Sequence, residues 1–254
     1  MQRKFLKGRF TMAKFQTVNV LGVDFINTTN HDFLIQLKAD SQANKNRFVV
    51  TANPEIVLAA KQNPQLAAAI KSSDYTTADG IGIIKGAKIL KTPLPERITG
   101  YDTMCALLDW ANANQKRVYF LGAKPSVLAD LKKKLAQNYP DLVIAGSHDG
   151  YFQDEGPIVN DIKQAKPDFV FVALGFPKQE LFIANHRQAA DAIWMGVGGS
   201  FDVLAGHVKR APAFWVNHHI EWLYRLLKEP SRFVRMLALP KYLLLVYRYA
   251  LIKK

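Results

Sequence analysis

Arg47-Phe48-Val49-Val50-Thr51-Ala52-Asn53-Pro54-Glu55 begins the stretch that decides how this 254-residue chain folds, and Tyr75-Thr76-Thr77-Ala78-Asp79-Gly80-Ile81-Gly82 ends it. The β-branched run at Phe48-Val49-Val50 predicts a strand. Asn53 suits a helix N-cap, Pro54 the first helical position, and Glu55 the positive end of the helix. Two helical segments follow before the second strand, Tyr75 to Ala78, which stops at Asp79-Gly80. Two strand ends, each followed by a helix start, predict that Thr51, Asn53 and Asp79 share one rim of a parallel sheet. That rim is where open α/β folds bind ligands. A carboxylate there, between an apolar strand and two glycines, is a candidate general base. The plainer role, which the stretch taken alone favours, is a cap on the next helix.

Outward from this stretch, strands and helices keep alternating. Phe15 to Phe25 predicts a hairpin with Gly22 near its turn, and Asn30 to Lys38 an amphipathic helix. Ile81 to Leu90 is helical. The Lys91–Gly100 loop holds two prolines and Arg97, a side chain able to grip a phosphate or carboxylate through two bonds, or simply a solvated charge. Asp102 to Asn114 predicts a helix and Arg117 to Leu121 a buried strand. Gly122-Ala123-Lys124-Pro125-Ser126 is a glycine turn into a helix start, the best phosphate-type site in the sequence, though neither a Walker motif nor a full GxGxxG. Leu142 to Ala145 predicts a strand, and Gly146 to Phe152 a loop carrying His148. Pro157 to Ala165 predicts a helix. Phe169 to Leu174 is a continuous apolar strand, as in the middle of a parallel sheet. It runs into Gly175-Phe176-Pro177-Lys178-Gln179-Glu180. Ile193 to Val197 is the last strand. The predicted class is therefore α/β: a Rossmann-like parallel sheet with flanking helices over residues 15–205.

Residues 206–254 differ. Trp215, Trp222, Leu223, Leu226 and Leu227 recur at helical spacing, and Pro230 and Pro240 begin further helices, the last running from Lys241 to Ile252. The net charge of +13 is unevenly spread. Residues 1–14 carry five basic side chains and no acid, and residues 205–254 carry ten against Glu221 and Glu229, which leaves the body neutral. This is not the pattern of a nucleic-acid binder. It predicts an anionic partner met by the ends, and the tail's aromatics interleaved with Lys and Arg suit the headgroup layer of an anionic bilayer. A helical cap packed on the body is the competing reading. The longest apolar run, Tyr242 to Tyr247, is far short of a membrane span, and no signal peptide is evident. The single cysteine, Cys105, excludes an internal disulfide and fits a reduced, cytoplasmic setting.

Several strand ends on one rim, one candidate base, no clustered metal ligands and a basic amphipathic tail suggest a soluble donor meeting a membrane-borne acceptor. There is no Asp-x-Asp pair to hold a metal on a sugar diphosphate, so leaving-group charge would fall to Arg, Lys or helix ends.

Taken together, Thr51-Ala52-Asn53-Pro54-Glu55, Ala78-Asp79-Gly80-Ile81-Gly82, Arg97-Ile98-Thr99-Gly100-Tyr101-Asp102, Gly175 to Glu180, Gly196 to Asp202, Arg210-Ala211-Pro212, Glu221 to Leu226 and Glu229-Pro230-Ser231-Arg232 resemble, in that order, the WecG/TagA/CpsF glycosyltransferases, and most closely the TagA branch. The resemblance covers nearly the whole chain from about Phe15. It implies inverting transfer of N-acetylmannosamine from UDP-N-acetylmannosamine to undecaprenyl-diphosphate-linked N-acetylglucosamine, in the synthesis of the wall teichoic acid linkage unit, with no cofactor or metal. It implies that Asp79 is the base and that Thr51, Asn53, Arg97 and Gln179 line the substrate pocket. It also implies a C-terminal appendage that docks on the inner face of the cell membrane and completes the site with arginines, for which Arg210, Arg225 and Arg232 are the candidates. Gly122 stays a candidate for the UDP site, and self-association is a further expectation.

Three other functions remain open at this point. A relative using another UDP-sugar, such as the uronic acid form or a capsular donor, would need a further cation in the pocket. A dinucleotide oxidoreductase would need GxGxxG after the first strand. A non-catalytic membrane adaptor would not need Asp79.

Overall fold

Alternation along the strands decides which layer each helix joins. The computed structural model describes residues 15–209, 211, 212, 215, 223, 224, 226 and 237–252. β1 (Thr17–Val20) and β2 (Val23–Ile26) form the expected hairpin, turned by Leu21 and Gly22 with φ of 53° and 94°. Positive φ at both turn residues matches the twist of the paired strands. β3 (Arg47–Ala52), β4 (Tyr75–Ala78), β5 (Arg117–Gly122), β6 (Val143–His148), β7 (Phe169–Ala173) and β8 (Ile193–Gly196) make one parallel sheet in the order β4-β3-β8-β7-β5-β6. The sheet and its helices give the α/β class read from the sequence.

Successive side chains point to opposite faces. Phe48, Val50, Tyr119, Leu121, Val170, Val172 and Trp194 pack into one core. Val49, Val118, Phe120, Phe169, Phe171, Ile193 and Met195 pack into the other. The first face is covered by α2 (Pro54–Gln62), α3 (Pro64–Lys71), α4 (Ile81–Ile89), α7 (Gly156–Ala165), α8 (Lys178–His186) and the last described helix, α10 (Ala238–Ile252). The second is covered by α1 (Asn30–Gln42), α5 (Gly100–Ala113), α6 (Pro125–Asn138) and the short α9 (Ser200–Leu204).

The structure corrects several boundaries. α1 runs past Lys38 because Asp40 and Ser41, polar residues that look like a helix end, turn inward and are buried. β6 continues through Gly146 and Ser147 to His148, where a loop was expected. Its register against β5 slips between Val118 and Tyr119, leaving Ala145 as an extra residue on β6. Gly146 lies against the Tyr119 ring, where a Cβ would come within 2.6 Å of Cε2. α10 begins at Ala238, so Pro240 falls in its first turn, where no N–H is needed.

The end of the sheet away from the candidate site is tied by charge. Asp40 is 1% exposed and accepts hydrogen bonds from Gln36 Nε2 (2.9 Å), Arg47 Nε (2.8 Å) and Tyr75 OH (2.6 Å), with Lys45 Nζ at 3.2 Å. Burial alone would raise this carboxyl. The bonds from Tyr75 and Arg47 outweigh burial and hold it below the usual carboxylate range. The same burial and bond raise the Tyr75 hydroxyl. A depressed carboxyl stabilises the fold above its unfolded value and loses that contribution as pH falls through its folded value. Asp40→Asn is therefore expected to lose about 3 kcal/mol at pH 7, the scale of breaking a buried pair. In urea titrations the gap to wild type should narrow below about pH 3.9, the unperturbed aspartate value. A gap that is the same at pH 7 and in acid would refute the assignment.

Candidate active site at the ends of β3, β4 and β8

The helix after β3 covers one face of the sheet and the helix after β8 covers the other, although the two strands are neighbours. Their C-terminal ends are therefore the topological switch point of this sheet, where open α/β folds place the ligand crevice. Thr51 stands at its edge. Its Oγ1 lies 3.4 Å from the Gly196 carbonyl, which it faces as donor. Gly100, the first residue of α5, leaves no room for a side chain: a Cβ would stand 3.0 Å from Thr51 Oγ1.

Three peptide groups line up beside this crevice. The N–H of the Arg97–Ile98 peptide donates to the carbonyl of the Ala78–Asp79 peptide at 3.0 Å, and the N–H of that same peptide donates to the carbonyl of the Ala52–Asn53 peptide at 3.0 Å. Thr77 Oγ1 adds a bond to the Ile98 carbonyl at 3.3 Å. This ladder brings Asn53, Asp79 and Arg97, far apart in sequence, to consecutive rungs. All three are half-buried. Asn53 caps α2 as expected, its Oδ1 accepting from Ile56 N at 2.9 Å. The N-cap position of α4 falls on Gly80, the residue after Asp79, and glycine has no side chain with which to cap. A Cβ on Gly80 would lie 3.7 Å from Pro54 Cδ, so the first turns of α2 and α4 touch. Thr99 Oγ1 accepts from Asp102 N at 3.1 Å and starts α5 two residues earlier than the sequence suggested. The positive ends of α2, α4 and α5 thus meet at the ladder, which favours an anion there.

Gln179 is buried at the other side of the crevice. Its Oε1 accepts from Gly198 N at 3.0 Å, its Nε2 donates to Glu180 Oε1 at 2.8 Å, and a Cβ on Gly196 would come within 2.7 Å of that Nε2. Gln179 therefore shapes the β8–α9 turn opposite Thr51. Glu180 is 2% exposed, and its Oε2 is buried with no hydrogen-bond partner among the described residues. Burial raises its carboxyl, and the bond from Gln179 only partly offsets this. The sequence reading gave Glu180 no role. The signal it could have used is an acid directly after Gln179 on an apolar helix face.

Gly122 lies on the same rim but at the end of β5, roughly 14 Å from β3 across three strand spacings. Its φ is 119°, and a Cβ would come within 2.9 Å of Ala173 Cα, so the close approach of β7 already requires glycine. Arg210, Arg225 and Arg232 lie outside the described residues. His148 ends β6, with Nδ1 2.8 Å from the Asp149 carbonyl. Among the described residues no group of three or more His, Cys, Asp and Glu side chains is placed to hold a metal ion.

Glu180→Gln keeps an acceptor for Gln179 and removes the buried ionisable group. A carboxyl whose folded value is raised contributes most below its unfolded value, about 4.3, and the contribution is lost as pH rises through the folded value. In paired urea titrations the variant should gain on wild type between pH 4 and pH 8. A difference independent of pH would show that Glu180 is not strained by burial.

Residues 18–254 match the family model described as Glycosyl transferase WecG/TagA/CpsF family. A protein of Bacillus spizizenii strain W23 is 43% identical over 236 residues, 92% of each chain. One of Bacillus subtilis strain 168 is 40% identical over 235 residues, again 92% of each. One of Staphylococcus aureus strain MW2 is 39% identical over 241 residues, 93% of each. All three are named N-acetylglucosaminyldiphosphoundecaprenol N-acetyl-beta-D-mannosaminyltransferase. With agreement over nearly its whole length, the chain belongs to the WecG/TagA/CpsF family of glycosyltransferases.

Proposed function

We propose that this protein transfers N-acetylmannosamine from UDP-N-acetylmannosamine to N-acetylglucosaminyldiphosphoundecaprenol, the acceptor in its relatives' name, and so builds the linkage unit of wall teichoic acid. The observation that supports the proposal is the backbone ladder, which puts the main chain of Asn53, Asp79 and Arg97 on consecutive rungs beside the strand ends.

Asp79 takes the proton from the acceptor 4-hydroxyl. That oxygen forms a bond to the anomeric carbon from the face opposite the diphosphate. The bond from the anomeric carbon to the UDP oxygen breaks, and its electron pair leaves on the β-phosphate. The configuration inverts. The departing charge falls near Arg97 and the joined N-termini of α2, α4 and α5, which stabilise it by charge and dipole. Thr51 edges the crevice, Gln179 shapes the turn that faces it, and the Gly122 turn, farther along the rim, receives the uridine end of the donor. Arg210, Arg225 and Arg232 are the candidates to bind the acceptor's diphosphate oxygens.

The acceptor is anchored in lipid, so the enzyme works at a membrane surface. Among the described residues no helix is long and apolar enough to cross one. The outward face of α10 exposes Leu244 (61%), Tyr247 (56%) and Leu251 (69%), with Lys241 and Arg248 also exposed. An amphipathic helix with apolar and aromatic residues flanked by cations suits the interface of an anionic bilayer.

UDP release from UDP-N-acetylmannosamine and a lipid-linked N-acetylglucosamine analogue tests the reaction. Asp79→Asn should lower kcat by about 10² to 10⁴, the usual worth of a positioned base. Turnover of the variant at the wild-type rate would remove Asp79 from the chemistry. No release above background by wild type would remove the reaction itself. In sedimentation with phosphatidylglycerol vesicles, the wild type should bind at low salt and release as salt rises, because screening weakens the cationic share of the contact. Vesicle binding that Leu244→Asp plus Leu251→Asp leaves unchanged would exclude α10 as the docking face.

A further inference from the structure

α10 crosses α2 and α4, and two glycines on α4 make room for it. Gly82 and Gly86 are one turn apart and so share a helix face. A Cβ on Gly82 would lie 2.8 Å from Leu239 Cδ1 and 2.5 Å from Pro54 Cγ. A Cβ on Gly86 would run into the Tyr242 hydroxyl and come within 3.0 Å of the ring carbon beneath it. Neither position admits even a methyl group without movement of α10 or α2. Tyr242 and Val246 are fully buried against this seam. The Tyr242 hydroxyl is buried with no hydrogen-bond partner among the described residues, and burial raises it above the usual tyrosine range. The ring fills the notch at Gly86, and the hydroxyl adds no bond among those residues.

What this seam holds is the end of α4 that matters. α4 starts two residues after Asp79, and Gly82 is in its first turn. The same glycine touches Pro54, the first residue of α2, directly after Asn53. Leu239, Gly82 and Pro54 therefore form a three-way contact behind the Asn53 and Asp79 rungs. Glycine inside a helix costs stability compared with alanine, so its presence at both positions marks a packing requirement.

We infer that Leu239 and Tyr242 are positioning residues for Asp79: seated on Gly82 and Gly86, they fix the tilt of α4 and hence where the carboxylate stands between Asn53 and Arg97. The inference rests on the reading of Asp79 as the base. It adds that the C-terminal helix serves the chemical step through packing, without touching either sugar.

The test is steady-state kinetics on the full-length chain, with turnover separated from donor KM. Gly86→Ala pushes Tyr242 outward and should lower kcat about ten- to a hundredfold, the scale expected when a catalytic group shifts by about an ångström. Donor KM should change less than kcat, because, of the proposed donor contacts, only the α4 end shifts. Tyr242→Phe removes the colliding hydroxyl and keeps the ring, so it should retain kcat. Combined with Gly86→Ala it should recover most of the lost turnover, a coupling that simple unfolding would not produce. A Gly86→Ala protein with wild-type kcat overturns the inference. So does a loss of kcat that Tyr242→Phe does not rescue, or one confined to donor KM. Asp79→Asn measured in parallel separates the two claims. An inactive Asp79→Asn beside a fully active Gly86→Ala defeats only the positioning role. A fully active Asp79→Asn defeats the base on which it rests.

Discussion

Two hydrogen bonds between three peptide groups set the candidate site. One joins the Arg97–Ile98 peptide to the Ala78–Asp79 peptide, and the next joins that to the Ala52–Asn53 peptide. Parallel pairing of β3 with β4 makes the second bond a continuation of the sheet, since Ala52 and Ala78 are already partners in register. The first is different. It captures a loop with two prolines and lays it across the strand end. Thr77 and the cap at Thr99 hold the loop on either side. Without that capture, Arg97 would be one more solvated charge, as its sequence context alone suggested.

The opposite wall is built from side chains. Gln179 spans from Glu180 to the β8–α9 turn, and Gly196 gives it room. Burying a carboxyl beside an amide is costly unless the carboxyl stays neutral. Here it holds the amide in one orientation, so that Gln179 presents its oxygen to Gly198 N. Side-chain bonds thus define one side of the crevice and main-chain bonds the other.

Much of the fold was legible because parallel strands buried on both faces read as apolar runs, and their ends read as caps and glycines. Thr51, Asn53 and Asp79 could be put on one rim from that pattern alone. Three things could not. The length of β6 was hidden because Gly146, Ser147 and His148 look like a loop, whereas an extra residue at Ala145 lets the strand continue. The capture of Arg97 depends on a bond between main-chain groups, which leaves no mark in residue types. The notches at Gly82 and Gly86 look like weak points in an apolar helix until Leu239 and Tyr242, more than 150 residues away, fill them.

The two edges of the sheet are treated differently. Beside β4 lies β2 of the N-terminal hairpin, while β6 is the outermost strand on the other side and is only half-buried throughout. An exposed strand edge invites pairing with another chain, the first step towards aggregates. The extra residue at Ala145 breaks the regular spacing of hydrogen-bonding groups along that margin, and a bulge also increases the local twist. A second molecule approaching edge to edge would meet a border that cannot be matched group for group. This irregularity disfavours strand addition along the open margin of the sheet.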